Sequence, residues 1–162
     1  SDGQWSEGHE LDRVPDFAWA GSASNVWFVS KFETNQDRWN GWGFEQFEIG
    51  QQLFWQTVGG SGDDDVWLVS DEGGEMVSVR FDGARFRVHP SAEMPGARDV
   101  LALGPNDAVV VGLLGTVAEW NGAEWQATAT MDYAAPTYNA VWGLPGGPVW
   151  VATDSGEIAR LR

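Results

Sequence analysis

A chain of 162 residues fits one domain with a real core, and its 13% aromatic content, with eleven Trp and eight Phe, gives that core bulky material. Twenty-four acidic against nine basic side chains leave a net charge of −15, a surface that repels phosphate backbones and anionic bilayers, so nucleic-acid and membrane partners are disfavoured. With no cysteine, disulfides, thiolate metal sites and cysteine nucleophiles are excluded. No transmembrane run and no signal peptide is present, and Ser1 is not a natural start, so a leader, tag or parent chain is expected to have been removed.

No window sustains apolar residues at helical spacing, whereas short alternating runs between Gly-rich turns recur throughout and predict strands. Residues 1–10 are expected to be an outer strand anchored by Trp5. Residues 11–15 form a loop, residues 16–21 an inner strand with Trp19, and Val26-Trp27-Phe28-Val29-Ser30 the strand after it. A long polar turn over residues 31–37 leads to a hairpin at Trp39-Asn40-Gly41, unusually aromatic with Trp42, Phe44 and Phe47. The next segment starts at Leu53-Phe54-Trp55 and crosses a Gly-rich loop ending in Asp63-Asp64-Asp65. It continues through Val66-Trp67-Leu68-Val69-Ser70, a strand over residues 76–81, Asp82-Gly83, and an outer strand over residues 85–89. A third segment runs from Asp99 through Ala108-Val109-Val110-Val111-Gly112, a Leu-Leu-Gly turn, Thr116-Val117-Ala118-Glu119-Trp120 and Asn121-Gly122 to Trp125. The fourth begins at Tyr138, passes Val149-Trp150-Val151-Ala152-Thr153 and Asp154-Ser155-Gly156, and reaches Arg162. Three linkers, His9 to Pro15, His89 to Pro95 and Thr130 to Pro136, leave an outer strand and reach Pro six residues later, which reads as punctuation.

The second strands of these segments begin at residues 26, 66, 108 and 149, steps of 40, 42 and 41. A four-strand unit of that length is the signature of a β-propeller blade. The Asn-Gly and Asp-Gly pairs between alternating runs are hairpin signals of the type I′ kind. The predicted fold is all-β: a β-propeller of four blades, each of four antiparallel strands, over residues 16–50, 51–90, 97–130 and 137–162 plus 1–10. In this arrangement the N-terminal strand completes the C-terminal blade and closes the ring. The in-phase termini fit a complete ring best, and part of a larger propeller, within one chain or across a dimer, is the alternative.

The recurring Asp-Val-Trp-x-Val-Gly, Gly turn, alternating strand, Asp/Asn-Gly and following Trp resemble the short-blade β-propeller repeats of bacterial surface and secreted proteins. The match is best over residues 107–125 and over 141–162 joined to 2–5, and weakest over 28–49. The resemblance implies an extracytoplasmic recognition or scaffold module without chemistry of its own, requiring no cofactor.

Enzyme motifs are missing: there is no G-x-S-x-G elbow, no phosphate-cradling loop before a helix and no H-E-x-x-H. His9 and His89 fall at equivalent places in opposite blades and read as ordinary surface histidines. Asp63, Asp64 and Asp65 lack the spacing of a Ca²⁺ loop and read as a solvated turn. No catalytic or metal-binding residue is therefore assigned. Trp42, just past a hairpin tip, is expected to be exposed, with Trp39 beside it, and exposed Trp stacks on sugars or anchors protein contacts. A second candidate surface is the rim where inter-blade loops meet, with Arg13, Arg98, Tyr133 and Tyr138 near Asp71 and Asp154. The leading expectation is a non-catalytic protein-binding or scaffold module, monomeric or dimeric through propeller edges. The alternative is a lectin-like glycan-binding propeller. A metal-dependent hydrolase with carboxylates in the channel is third, because Phe17, Trp19, Val58, Leu101, Leu103 and Trp142 make the inner strands apolar.

Overall fold

The alternating runs fold as strands that bury both faces. The computed structural model describes residues 8, 10–128 and 134–162, and among them fifteen strands form four antiparallel sheets. Sheet 1 contains β1 (Phe17–Ser22), β2 (Asn25–Val29), β3 (Asn35–Trp39) and β4 (Phe44–Glu48). Sheet 2 contains β5 (Trp55–Gly62), β6 (Asp65–Glu72), β7 (Glu75–Phe81) and β8 (Phe86–Pro95). Sheet 3 contains β9 (Ala97–Gly104), β10 (Asp107–Gly112), β11 (Val117–Trp120) and β12 (Trp125–Ala127). Sheet 4 contains β13 (Tyr138–Gly143), β14 (Val149–Thr153) and β15 (Ile158–Arg160). Every sheet is a meander in which each strand pairs with the next.

The sheets pack face to face in chain order, β1 against β5, β5 against β9 and β9 against β13, while no strand of sheet 4 packs broadly on sheet 1 among the described residues. The core therefore lies between sheets. Trp27 and Val29 meet Val66, Leu68, Val79 and Phe81. Trp67, Val69 and Met76 meet Ala108, Val110, Trp120 and Trp125. Val109, Val111 and Val117 meet Val141, Val149 and Val151. Since neighbours on a strand point to opposite faces, the run from Val66 to Val69 is buried on both and reads as continuously apolar.

Each junction uses a repeated device. The ring of Trp27 meets Phe81 and Phe86 of sheet 2 edge-on, with centroids 4.9 and 5.3 Å away. Trp67 does the same to Trp120 and Trp125 of sheet 3, at 4.9 and 5.1 Å. Across the strand from each of these tryptophans stands an arginine: Trp27 pairs with Arg38 and Trp67 with Arg80. The guanidinium lies over the indole at 5.8 and 5.3 Å, a cation–π contact strengthened by its desolvation.

Several expectations are corrected. The hairpin tips are not two-residue type I′ turns. The last pairs are Trp39↔Phe44, Phe81↔Phe86 and Trp120↔Trp125, which leaves four-residue loops in which only the Gly has positive φ, as Gly41 does at 95°. The Asn or Asp side chain accepts from the N–H groups two and three residues on, as Asn40 does from Trp42 and Gly43, and this Asx cap replaces the second left-handed residue. The linker from His89 to Pro95 is strand, not loop: β8 continues along β7 through Pro90↔Val77 and Pro95↔Glu75. On an edge strand, the N–H that Pro lacks is not needed for the ladder. The expected outer strand over residues 1–10, with Trp5, falls almost wholly on residues 1–7 and 9, outside the described residues. Gly8 and Glu10 are in no regular element, sheet 4 has three strands among the described residues, and closure of the ring is not seen. No helix among the described residues is long and apolar enough to cross a membrane.

Candidate functional site

A meander puts successive turns on opposite edges of each sheet, so the molecule has two rims. One carries the starts of the inner strands β1, β5, β9 and β13, and on it the expected cluster partly forms. Arg98 donates to Gln56 Oε1 at 3.0 Å and pairs with Asp71 Oδ2 at 3.3 Å. A Cβ at Gly96 would overlap the Asp71 carboxylate, so only Gly lets the two chains approach there. Asp154 accepts from the Thr137 N–H beside Tyr138. Arg13 is engaged within sheet 1, donating to the Asn35 carbonyl at 2.7 Å and lying 3.5 Å from Asp37. Tyr138 is half-buried against the Val141 and Val151 cluster. Tyr133 lies outside the described residues. The described rim residues Arg13, Arg98 and Tyr138 thus each contact groups of neighbouring strands or loops of this chain.

Asp99, on β9, joins three inner strands. It accepts from Thr57 Oγ1 (3.2 Å), its neighbour Val100 N (2.9 Å) and Val141 N (2.8 Å). Burial pushes its carboxyl above the ordinary aspartate value against the pull of those hydrogen bonds. Thr57 belongs to β5 and Val141 to β13, so Asp99 pins β9 to both neighbouring inner strands.

Two residues differ from their sequence reading. Asp65 is buried, not part of a solvated turn. It accepts a short hydrogen bond from Ser61 Oγ, one from Trp67 Nε1 at 3.1 Å, and one from Arg80 Nε at 2.7 Å, orienting both members of the Trp–Arg pair. His89 is half-buried between sheets 2 and 3, its ring 4.9 Å from Trp120 and 5.5 Å from Trp67. Burial, then the charges of Arg80 and Arg87, hold it below the usual histidine range. His9 lies outside the described residues. Among the described residues no group of three or more His, Asp or Glu side chains is placed to hold a metal ion.

The opposite rim carries the hairpin tips, and there Trp42 is 95% exposed. Its tip is rigid: Asn40 Oδ1 accepts from Trp42 N at 2.9 Å and Gly43 N at 3.0 Å, while Asn40 Nδ2 donates to Glu45 at 2.7 Å. The equivalent tips are built alike. Asp82 accepts from Ala84 and Arg85, and Asn121 from Ala123 and Glu124. Arg87 and those N–H groups hold the Asp82 carboxyl down at about 2. The place of Trp42 is taken there by Ala84 and Ala123, so the turn itself does not require an indole. Trp39 is half-buried, 5.3 Å from Phe44, and belongs to the face of sheet 1 more than to the tip. A Cβ at Gly41 would come within 2.9 Å of Ser24 Cβ, which places the Ser22 and Ser24 hydroxyls beside the same tip.

No family model matches the chain, and no curated protein sequence matches it. Solved structures do. Virginiamycin B lyase from Staphylococcus aureus superposes with a TM-score of 0.65 at 12% identity, over 93% of this chain and 56% of that one. The WD40 β-propeller domain of Doa1 gives 0.62 at 18% identity, over 87% and 47%, and YCF48 bound to D1 peptide gives 0.58 at 15% identity, over 86% and 60%. The four sheets resemble β-propeller blades. The chain spans about half the length of these structures, and at such identities the likeness concerns the fold alone, since propellers host unrelated functions.

Proposed function

We propose that the chain is a non-catalytic recognition module for a protein partner, with Trp42 as an anchor on the hairpin-tip rim. The observation that carries this reading is an indole almost fully in water where sibling blades have Ala84 and Ala123. A rigid aromatic on a preformed turn loses little entropy on docking and supplies a large apolar area, as interface hot spots do. An extracytoplasmic location and completion of the fourth blade by residues 1–10 belong to the same proposal. The three-stranded fourth sheet, whose β15 edge has no further strand among the described residues, supports that completion. YCF48, similar in fold, is bound to a peptide, which supports only that such a scaffold can present a peptide-binding surface.

A second reading is glycan binding. Trp42 offers a flat stacking face, and Glu45, Ser22 and Ser24 place a carboxylate and two hydroxyls near it. A pull-down and a glycan array, each run with the wild-type chain and Trp42→Ala, separate the two. Protein capture weakened by more than about 1 kcal/mol in the variant, with an empty array, is the expected result. Array signal that Trp42→Ala abolishes selects the glycan reading. Capture identical for both chains removes Trp42 as the anchor.

A further inference from the structure

The hairpin-tip rim holds more than Trp42. Each tip glycine packs on the turn that joins the first two strands of its own blade. A Cβ at Gly41 would come within 2.9 Å of Ser24 Cβ, and one at Gly83 within 3.0 Å of Asp64 Cβ. The two turns meet across the junction of blades 1 and 2 through the Trp19 ring, which would lie 2.8 Å from a Cβ at Gly21 and 2.7 Å from one at Gly60. One ridge therefore runs from the tip at Trp42, past Ser24, to Asp63 and Asp64, all exposed. Glu45 flanks it. That carboxylate is exposed and tied to the tip by Asn40. It stands across the strand from Arg38, on the face of sheet 1 turned to sheet 2.

The charge of this ridge is uncompensated. Of the chain's nine basic side chains, Arg13, Arg80, Arg87, Arg98 and Arg162 are held in ion pairs, and Lys31 and Arg38 lie over aromatic rings. Glu45, Asp63 and Asp64 are in no ion pair among the described residues. Arg85, at the tip of blade 2, is the one cation of these two tips that is not engaged in the same way. Three carboxylates against one guanidinium leave the ridge negative, on a chain whose net charge is −15. Such a surface repels an acidic partner and steers a basic one. The indole acts in the same direction, because its ring face attracts cations more strongly than that of Phe or Tyr. The chain uses this contact itself, with Arg38 over Trp27 at 5.8 Å and Arg80 over Trp67 at 5.3 Å. Trp42 offers the same ring to water.

We propose, on the reading of Trp42 as a protein anchor, that its partner presents a basic segment. One lysine or arginine lies over the Trp42 indole beside Glu45, and a second reaches Asp63 and Asp64 in the next blade. Packed sheets stand about 10 Å apart. A polyproline-II segment spans that distance in three residues of about 3.1 Å each, and its side chains three apart point the same way. The matching motif is thus a pair of basic residues at i and i+3 in an extended, proline-rich stretch.

The probe is a short fluorescein-labelled proline-rich peptide with arginines at i and i+3. Its twin has citrulline at both places, which keeps the shape and removes the charge. Fluorescence anisotropy with the full chain should show the arginine peptide binding more tightly than its twin by about tenfold. Trp42→Ala should weaken it about fivefold, and Asp63→Asn with Asp64→Asn about threefold. Glu72→Gln with Glu75→Gln, exposed carboxylates on the opposite rim, should leave it unchanged. Circular dichroism should be the same for every variant. Equal affinity for the two peptides, no binding of either, or indifference to Trp42→Ala would each overturn the proposal. So would equal weakening by the opposite-rim pair, since that would mean attraction to net charge alone. The pull-down separates this from the anchor reading. Capture that falls with Trp42→Ala while the peptides bind alike keeps the anchor and removes the basic segment; capture indifferent to Trp42→Ala removes both.

Discussion

Trp42 sits on a turn whose hydrogen bonds come from Asn40 and not from the indole. Trp42→Ala should therefore change unfolding free energy by no more than about 0.5 kcal/mol, as for ordinary surface substitutions, measured by urea denaturation; a larger loss would show that the indole packs. Asp65 behaves in the opposite way. Its removal takes the acceptor from Trp67 and Arg80 inside the junction between blades 2 and 3, and stranding one partner of a buried pair costs about 3 kcal/mol. Asp65→Ala should lower stability by that order, with the urea midpoint as the readout. His89 supplies a pH dependence. Its folded-state pKa lies below the ordinary 6.5, so between the two values the unfolded chain binds more protons. Stability is complete above about pH 6.5 and falls as the pH drops toward the folded value. A thermal midpoint that declines between about pH 7.5 and 5.5 in the wild type, and declines less in His89→Phe, is expected; equal slopes would remove His89 as the source. Asp99, raised by burial, works with the opposite sign, and it is the same in wild type and His89→Phe, so the comparison isolates the histidine.

Strands β9 and β10 of sheet 3 approach so closely where Gly112 pairs with Ala97 that a small residue becomes obligatory there. Gly112, at the end of β10, faces the Gly96 carbonyl just before β9, and a Cβ there would overlap that oxygen. The backbone φ at Gly112 is extended, near −175°, so crowding, not conformation, demands glycine. Gly112→Ala should cost about 1–3 kcal/mol, the range for overpacking a close contact. An unchanged thermal midpoint would mean that the Leu113–Gly115 turn yields. Residues 89–95 read as a linker because of their prolines, yet they stay tied to β7: Ser78 Oγ donates to the His89 carbonyl and Ser91 Oγ to the Met76 carbonyl.

Among the described residues the four sheets pack in series, and Trp142, Trp150 and Ile158 on sheet 4 are exposed. If residues 1–10 complete the fourth blade, their deletion uncovers the β15 edge and should lower the thermal midpoint by several degrees, on the order expected for a loss of a few kcal/mol in a domain of this size. A truncated chain that melts with the full one would overturn that completion. The net −15 opposes the compact state at low salt, so the midpoint is expected to rise as salt screens it.

Most strands between Phe17 and Arg160, their order and the Asn-Gly or Asp-Gly tips were legible in the chain alone, because alternation, β-branching and turn chemistry act between residues a few positions apart. The step of about 40 residues then implied blades, and the exposure of Trp42 followed from its place after a tip. The fates of Asp65, His89 and Asp99 were not legible. Each depends on a neighbour that the chain supplies a strand, a hairpin or a whole blade away: Arg80 for Asp65, Trp120 for His89, Val141 for Asp99. Val-Trp followed by two apolar residues reads alike in Val66-Trp67-Leu68-Val69 and in Val149-Trp150-Val151-Ala152. Only the packing of one blade on the next, a long-range matter of burial, decides that the first tryptophan is core and the second is surface.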